Sequence, residues 1–98
     1  MRSIYSTEVF DAWFEALRDK QAARRIQARI DRLEEGNFGD CQPVGEGVSE
    51  MRIQYGPGYR VYLAQRGTEI VILLAGGDKA TQNKDIKTAL GLAKQLKD

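Results

Sequence analysis

Residues 69–74, EIVILL, set the strongest limit on the fold of this chain. The run is apolar at successive positions, so both faces of a strand built from it need cover, and it predicts a strand inside a sheet. The stretch AGGDKATQNKD, residues 75–85, follows at once. We expect either a plain strand-to-helix turn or a turn that also holds a cation over an anion site. Gly76 and Gly77 are expected to serve the backbone geometry of that turn.

Two apolar stripes at helical spacing follow a short predicted strand at residues 2–6. The first stripe consists of Phe10, Trp13, Phe14 and Leu17, and the second of Ala22, Ala23, Ile26, Ile30 and Leu33. Leu17 and Ile26 are nine residues apart, which is half a turn out of phase at ~100° per residue. One straight helix would put the stripes on opposite sides, so we predict two helices with a break near Asp19 and Lys20.

The ends of these helices fit known capping patterns. Thr7 is the predicted N-cap of the first helix, and Glu8 and Asp11 favour the positive end of its dipole. Gly36 is predicted to end the second helix. Trp13 is expected to be a core residue.

The remaining residues predict an antiparallel meander and a final helix. Segments 42–55 and 58–65 alternate between apolar and polar residues, with glycine and proline between them, and residues 81–98 have helical spacing. The order predicts an α+β fold: an N-terminal strand and a helical hairpin packed on a mainly antiparallel, four- to five-stranded sheet, with a C-terminal helix. We expect the helices on one face of the sheet, in a single domain spanning residues 1–98.

The composition excludes several kinds of site. The chain has no histidine and one cysteine, Cys41, which excludes imidazole acid-base chemistry, Cys-His nucleophiles, an internal disulfide and most zinc sites. We expect no cofactor and no metal. The net charge is +1, so any contact with nucleic acid depends on local clusters of basic residues. No apolar run approaches the length of a membrane span, and we expect a cytoplasmic protein.

The loop within MRIQYGPGYRVYL, residues 51–63, decides which side chains share a face of the sheet. A two-residue loop would place Arg52 opposite Leu63 and mix charge with core. A three-residue loop at positions 56–58 separates apolar from polar side chains, with Arg52 opposite Tyr62, and we predict that register. The polar face would then carry Arg52, Gln54, Arg60 and Tyr62.

Lys79 is expected beside this face, at the start of the final helix, where free backbone N–H groups favour an anion. Three cations, from Arg52, Arg60 and Lys79, are then predicted to converge on one concavity. The neutral hydrogen-bonding side chains expected nearby are Gln54, Tyr62 and Gln82. Phosphate is the expected ligand because guanidinium groups match its oxygens. The alternative is that the arginines only form the solvated face of the sheet.

Four segments, taken in order, resemble a known family. They are FDAWFEALRD, RLEEGNFGD, VGEGVSEMRIQYGPGYRVYL and LLAGGDKATQNKDI. From about Phe10 to Ala93 the chain is similar to the HigB-type, phage-related branch of the RelE/ParE toxins, also described as addiction module killer proteins. The resemblance implies a RelE-like fold and the toxin of a type II toxin-antitoxin system, whose antitoxin would be a small helix-turn-helix protein. RelE- and HigB-type relatives cut mRNA at the ribosomal A site, whereas ParE-type relatives inhibit DNA gyrase.

The resemblance also implies roles for individual residues. Arg60, in GYRVY, matches the arginine that RelE-type toxins place on the scissile phosphate. Arg52 lies where they carry basic residues on the preceding strand, and Lys79 aligns with the cation after the last strand. We therefore expect an mRNA endonuclease that acts on the ribosome, with Arg60, Lys79 and Arg52 as catalytic residues. The alternative is a ParE-like inhibitor of DNA gyrase without nuclease activity.

The chain departs from the family near its C-terminus. RelE toxins have a tyrosine there and HigB relatives a histidine-tyrosine pair, whereas this chain reads TQNKDIKTAL at residues 81–90. Asp85 or Gln82 is expected to occupy that space, and the identities of the general acid and base stay open. The expected RNA-binding residues are Gln54, Tyr62, Gln82 and Asp85.

Overall fold

The computed structural model of this chain describes residues 1–96, which form one five-stranded sheet and three α-helices. The elements are β1 (Ser3–Ser6), α1 (Glu8–Glu15), α2 (Lys20–Glu34), β2 (Cys41–Gly45), β3 (Val48–Ile53), β4 (Tyr59–Arg66), β5 (Ile70–Gly77), a 3₁₀ turn (Lys79–Thr81) and α3 (Gln82–Gln95). The predicted α+β fold is confirmed. The predicted continuation of the last helix to residue 98 lies outside the described residues. Within residues 1–96, no helix has the length and hydropathy needed to cross a membrane.

The strands lie in the order β1-β5-β4-β3-β2. β1 pairs with β5 in parallel, and all other neighbours in this sheet are antiparallel. β5 is therefore an interior strand, as its apolar run predicts. Its last residue, Gly77, lies opposite Arg60 of β4, so the chain leaves the sheet directly beside that arginine.

The helices α1 and α2 form the predicted hairpin. The Thr7 hydroxyl accepts the Phe10 N–H at 3.1 Å and caps α1, while the Asp19 carboxylate accepts two backbone N–H groups at 3.0 and 3.2 Å and caps α2. Gly36, with a φ of 84°, follows the end of α2. The predicted break, the Thr7 cap and the Gly36 stop are thus confirmed. Both helices pack on one face of the sheet, in a core of Phe10, Ile26, Ile30, Leu33, Met51, Ile53, Val61, Leu63, Val71 and Leu73.

The helix α3 packs on the opposite face, so the prediction that all helices share one face is wrong. The reason lies in the apolar run itself, since Leu73 and Leu74 are adjacent in β5 and both are buried. Side chains on both faces therefore need cover. The second core consists of Val48, Tyr62, Ala64, Leu74, Ala75 and Ala89. The predicted polar face is consequently covered in part by α3.

The loop between β3 and β4 comprises residues 54–58, and the predicted register is wrong by two residues. Arg52 lies opposite Arg60 instead of Tyr62, and Tyr62 lies opposite Glu50. A shift of two residues leaves each side chain on its original face, because the side-chain period of a strand is two. The assignment of Arg52, Arg60 and Tyr62 to one face is therefore correct.

Contacts with α2 explain the longer loop. The Tyr55 hydroxyl donates to the Asp19 carboxylate at 3.0 Å, and the Arg25 guanidinium lies 4.6 Å from the centroid of the Tyr55 ring. These contacts hold the chain away from the sheet after β3. Gln54 is exposed in this loop, and its amide lies 3.4 Å from the Asp40 carboxylate. The prediction that Gln54 belongs to the polar face is wrong.

Candidate functional site

A set of polar side chains, here named the polar cluster, lies between the sheet and the start of α3. Its members are Glu50, Arg52, Arg60, Tyr62 and Gln82, with Lys79 and Asp85 at its edge. Arg52 and Arg60 lie directly opposite each other on β3 and β4. Like charges in that position repel, so the arrangement needs a negative charge nearby.

Glu50 supplies that charge. The residue is 1% exposed. Its Oε1 accepts the Arg52 Nε–H at 3.2 Å, and its Oε2 lies 3.7 Å from Arg60 Nε. Oε2 also accepts the Tyr62 hydroxyl at 3.0 Å and the Gln82 amide at 2.8 Å. One buried carboxylate thus gathers four of the side chains that the sequence predicts for the site.

The sequence prediction omits Glu50, although a signal for it exists. Glu50 alternates with Arg52 in VSEMRI and must share its face. In the predicted register Glu50 would lie opposite Ala64, away from the other cations. The observed register places it opposite Tyr62 and diagonally from Arg60. The predicted register, wrong by two residues, therefore did not indicate that Glu50 lies at the centre of the site.

The protonation of Glu50 links the polar cluster to stability. Burial by itself would raise the pKa of the Glu50 carboxyl, but hydrogen bonds from Gln82, Tyr62 and Arg52 and the charge of Arg60 hold that pKa below its ordinary value of 4.5. As the pH falls, the unfolded state therefore binds this proton before the folded state does. The stabilisation due to Glu50 is present above pH 4.5 and is lost as the pH falls through the lowered pKa.

We expect this loss to appear in urea unfolding curves recorded from about pH 7 to about pH 3. The free energy of unfolding of the unchanged protein should fall towards that of Glu50→Gln, which has no carboxyl to titrate at this position. An exposed carboxylate, Glu69, provides the control, and Glu69→Gln should leave the free energy of unfolding close to that of the unchanged protein. A gap between the unchanged protein and Glu50→Gln that stays constant across this range would contradict the assignment.

Tyr62 has a structural role. It is fully buried, and burial, followed by its hydrogen bond to Glu50, raises the pKa of its phenol far above the ordinary value. The side chain therefore stays a neutral donor to Glu50. Because it has no exposed surface, Tyr62 cannot contact RNA in this structure, which corrects its predicted role as an RNA ligand.

Arg60 is mostly buried, with 13% of its side chain exposed, so it does not belong to a solvated face. Its Nη1 donates to the Gly58 carbonyl at 3.2 Å, and its Nε has no hydrogen-bond partner within residues 1–96. Lys79 lies close by, since a Cβ built on Gly58 would be 3.6 Å from both Arg60 Nη1 and Lys79 Cβ. These two predicted cations are therefore neighbours. The Arg60 Nε–H is buried and faces Glu50, so the donors that Arg60 keeps for an anion are those of Nη2, which make no hydrogen bond within residues 1–96.

The turn after β5 is closed by the protein's own carboxylates. Asp78 accepts the Ala80 N–H at 2.9 Å, and Asp85 Oδ2 accepts the Thr81 hydroxyl at 2.5 Å. The expectation of free backbone N–H groups at this turn is thus met only in part. An anion at this place depends mainly on the side chains of the two neighbouring cations.

Gly76 and Gly77 are required for close packing, so the prediction that they serve backbone geometry is wrong. Neither has a φ in the left-handed region. A Cβ on Gly76 would overlap the indole of Trp13, and a Cβ on Gly77 would overlap the Asp85 carboxylate. The two glycines therefore leave room for one side chain on each face of β5, Trp13 on one and Asp85 on the other. It also brings Asp85 beside the residue that pairs with Arg60.

Arg29 of α2 fixes the end of β3 from the opposite face. Its Nη1 donates to the Arg52 carbonyl at 2.6 Å, and its Nη2 donates to the carbonyls of Phe38 and Asp40 at 3.2 and 3.4 Å. The backbone of Arg52 is therefore held from one face while its side chain bonds Glu50 on the other. Sequence reasoning did not single out Arg29, because its partners are carbonyl groups that only the folded chain brings together.

The polar cluster and its edge carry one net positive charge, with three cationic side chains (Arg52, Arg60 and Lys79) and two anionic ones (Glu50 and Asp85). Glu50 is enclosed, whereas Lys79 is exposed and Asp85 is half-buried. The accessible edge therefore offers a guanidinium, an ammonium group and one carboxylate. This set of groups suits a single phosphate and the proton transfers around it.

Comparisons with known proteins match nearly the whole chain. The family model described as Phage derived protein Gp49-like (DUF891) matches residues 12–98. The chain is also 52% identical over 93 residues to an uncharacterized protein of Haemophilus influenzae, and the match covers 95% of this chain and 94% of that protein. Both ranges are long enough to include the sheet strands and the helix that build the polar cluster.

Proposed function

Since the chain belongs to the phage-derived Gp49-like family, a toxin family of toxin-antitoxin systems with a RelE-like fold, we propose that it is a type II toxin that cuts mRNA on the ribosome. The resemblance to the HigB-type branch supports cleavage as its activity. The observation that carries the proposal is the position of Arg60 beside Lys79, with the Arg60 Nη2 group left without a hydrogen-bond partner within residues 1–96.

In the proposed reaction, the 2′-oxygen of one nucleotide attacks the adjacent phosphorus. A bond forms between these two atoms, and the bond from phosphorus to the 5′-oxygen of the next nucleotide breaks. The products are a 2′,3′-cyclic phosphate and a 5′-hydroxyl. The 2′-hydroxyl gives up its proton to a base, and the leaving 5′-oxygen gains a proton from an acid. We assign these roles to Asp85 as the base and Lys79 as the acid.

Arg60 has the task of stabilising charge. The phosphorus centre gains negative charge during the attack, and a fixed guanidinium offsets that charge without reorganising. The partial burial of Arg60 strengthens this effect because less water screens it. Arg52 is proposed to hold the RNA backbone, and binding to the ribosome is proposed to align the 2′-oxygen with the scissile bond.

Sequencing of mRNA 3′ ends in cells that express the protein without its antitoxin tests this function. We expect new ends inside translated codons, each carrying a cyclic phosphate. Cells that express Arg60→Ala to the same level provide the matched control and should lack these ends. The absence of new mRNA 3′ ends within translated codons would contradict the nuclease proposal.

The alternative function is inhibition of DNA gyrase without cleavage of RNA. One observation favours it, because residues 81–90 lack the tyrosine or histidine-tyrosine pair of RNA-cleaving relatives. Inhibition of supercoiling by purified gyrase, together with a DNA-damage response and unchanged mRNA ends, would support this alternative. A growth assay precedes both tests, since expression without any slowing of growth would contradict both functions.

The family implies an antitoxin partner, and we propose that it is a small helix-turn-helix protein. We expect the antitoxin segment that contacts the toxin to be acidic and apolar. It should either cover the polar cluster or hold α1 and α2 in place. Hydrogen exchange of the complex should show protection in one of these regions relative to the free toxin. A complex that leaves both Arg60 and the two helices uncontacted would contradict this prediction.

A further inference from the structure

We propose that Glu50 is a positioning residue of this site, which orients Arg52 and Arg60 without contacting RNA. The inference rests on the proposed nuclease function for its activity measurement. Glu50 is 1% exposed and lies beneath the amide of Gln82. No substrate atom can approach its carboxylate in this structure, so any effect of Glu50 on catalysis passes through its neighbours.

The two arginines are held differently. Arg52 is bonded firmly, because its Nε donates to Glu50 Oε1 at 3.2 Å and its Nη2 donates to Gln42 Oε1 at 3.2 Å. The Nε of Arg60 lies 3.7 Å from Glu50 Oε2, which is longer than the ~2.9 Å of an N–H···O hydrogen bond. Besides the bond of its Nη1 to the Gly58 carbonyl, Arg60 is therefore oriented towards Glu50 by charge, and a displacement of under about 1 Å would complete a hydrogen bond between them.

Glu50 is itself rigidly placed, as a positioning group must be. Tyr62 of β4 and Gln82 of α3 both donate to Oε2, so three elements of the fold meet at one carboxylate. Without that negative charge, Arg52 and Arg60 would face each other as an uncompensated like-charge pair. We expect them to separate, which would move Arg60 away from Lys79 and from the phosphate.

This role predicts opposite effects on binding and on turnover. Glu50→Gln nearly preserves the shape of the side chain but adds one net positive charge to the site, so affinity for RNA should not fall. The misplaced Arg60 should nevertheless slow cleavage. A purely structural residue would weaken both properties together, because it would reduce the amount of correctly folded protein.

The experiment compares the unchanged protein with Glu50→Gln and with Glu69→Gln, whose exposed carboxylate lies in the turn before β5. Three quantities are measured: single-turnover cleavage of ribosome-bound mRNA, binding of a labelled single-stranded RNA oligonucleotide, and the NMR signals of the arginine Nε–H groups. Glu50→Gln should cleave about 10²-fold more slowly, the usual scale for a small misplacement of a catalytic group. It should bind the oligonucleotide at least as tightly, and the signals of Arg52 and Arg60 should move towards those of free arginine. Glu69→Gln should match the unchanged protein in all three measurements.

Cleavage by Glu50→Gln at the unchanged rate overturns the proposal, and so does a parallel loss of RNA binding and cleavage. Should the unchanged protein cleave no mRNA, the proposed function fails, and the Nε–H signals alone decide the role of Glu50. Signals of Arg52 and Arg60 that do not shift overturn the proposal in that case, whereas shifted signals support it.

Should Glu50→Gln fail to fold, Tyr62→Phe removes one donor to the carboxylate and keeps the ring in the core. It is expected to shift the same signals by a smaller amount, and unchanged signals in this variant overturn the proposal.

Discussion

Arg60→Ala is expected to lower the rate of mRNA cleavage by roughly 10²–10³, the usual effect of losing one donor to a transition-state oxyanion, or about 2.7–4 kcal/mol. The physical reason is that the Arg60 guanidinium is held by the Gly58 carbonyl and the charge of Glu50, while its Nη2 group has no hydrogen-bond partner within residues 1–96. Growth arrest should disappear in cells, and single-turnover cleavage on purified ribosomes gives the magnitude. The variant should still bind the antitoxin.

Arg60→Ala also affects the fold, because the side chain is mostly buried and faces Glu50. Removing a partner of a buried polar group costs about 1–3 kcal/mol, so thermal unfolding must be measured beside activity. Arg60→Lys separates the two effects. It keeps a positive charge near Glu50 but lacks the planar fork of donors that fits phosphate. This variant should retain most of the stability and still lose much of the activity.

Two further variants test whether the loss of cleavage is specific to the cations of the polar cluster. Lys79→Ala should reduce cleavage in the same direction but less severely, because Arg60 remains to hold the phosphate. Arg66→Ala is the control, since Arg66 is a cation at the far end of β4 whose Nη2 donates to the Leu96 carbonyl at 2.6 Å. Equal loss of toxicity in Arg66→Ala and Arg60→Ala, or loss in Arg60→Ala through unfolding alone, would contradict the assignment.

Trp13→Ala is expected to lower the free energy of unfolding by about 3–5 kcal/mol, nearer the lower value because Trp13 is half-buried. The indole packs on the backbone of Gly76, and its centroid lies 5.7 Å from that of Phe10 and 6.3 Å from that of Tyr59. Its loss leaves a cavity between α1 and the end of β5. Chemical denaturation gives the size of the effect, and an unchanged unfolding midpoint would show that Trp13 makes no core contact.

The contact between Trp13 and Gly76 also makes the two positions interdependent. Gly76→Ala should destabilise the protein by about 1–3 kcal/mol because the new methyl group overlaps the indole. In the Trp13→Ala background the same change should cost much less, since the methyl group then enters empty space. Gly91→Ala is the control: Gly91 lies in α3 with no neighbour within 4 Å of a built Cβ, and alanine there should stabilise by about 0.5–1 kcal/mol. Additive costs at positions 13 and 76 would contradict the packing described.

The starts of α1 and α2 and the end of α2 could be predicted from the sequence because their causes are local, whereas α1 ends at Glu15, before the predicted break near Asp19. Thr7 caps a backbone N–H three residues away, and Gly36 adopts a conformation that few other residues tolerate. The nine-residue offset between Leu17 and Ile26 was likewise enough to separate α1 from α2. The sharing of one face by Arg52 and Arg60 was also predictable, because alternation along a strand does not depend on register.

The tertiary structure alone decided the centre of the site. The register of β3 on β4 depends on Tyr55, which is held by Asp19, the N-cap of α2, and by Arg25 of α2. No pattern within the hairpin indicates that contact. The same register places Glu50 between the arginines. Gly77 is needed because Asp85 packs on it from α3, a contact between two elements of the fold. Alternation and capping act over a few neighbouring residues, whereas a buried charge is positioned by side chains from distant segments that become neighbours only when the chain folds.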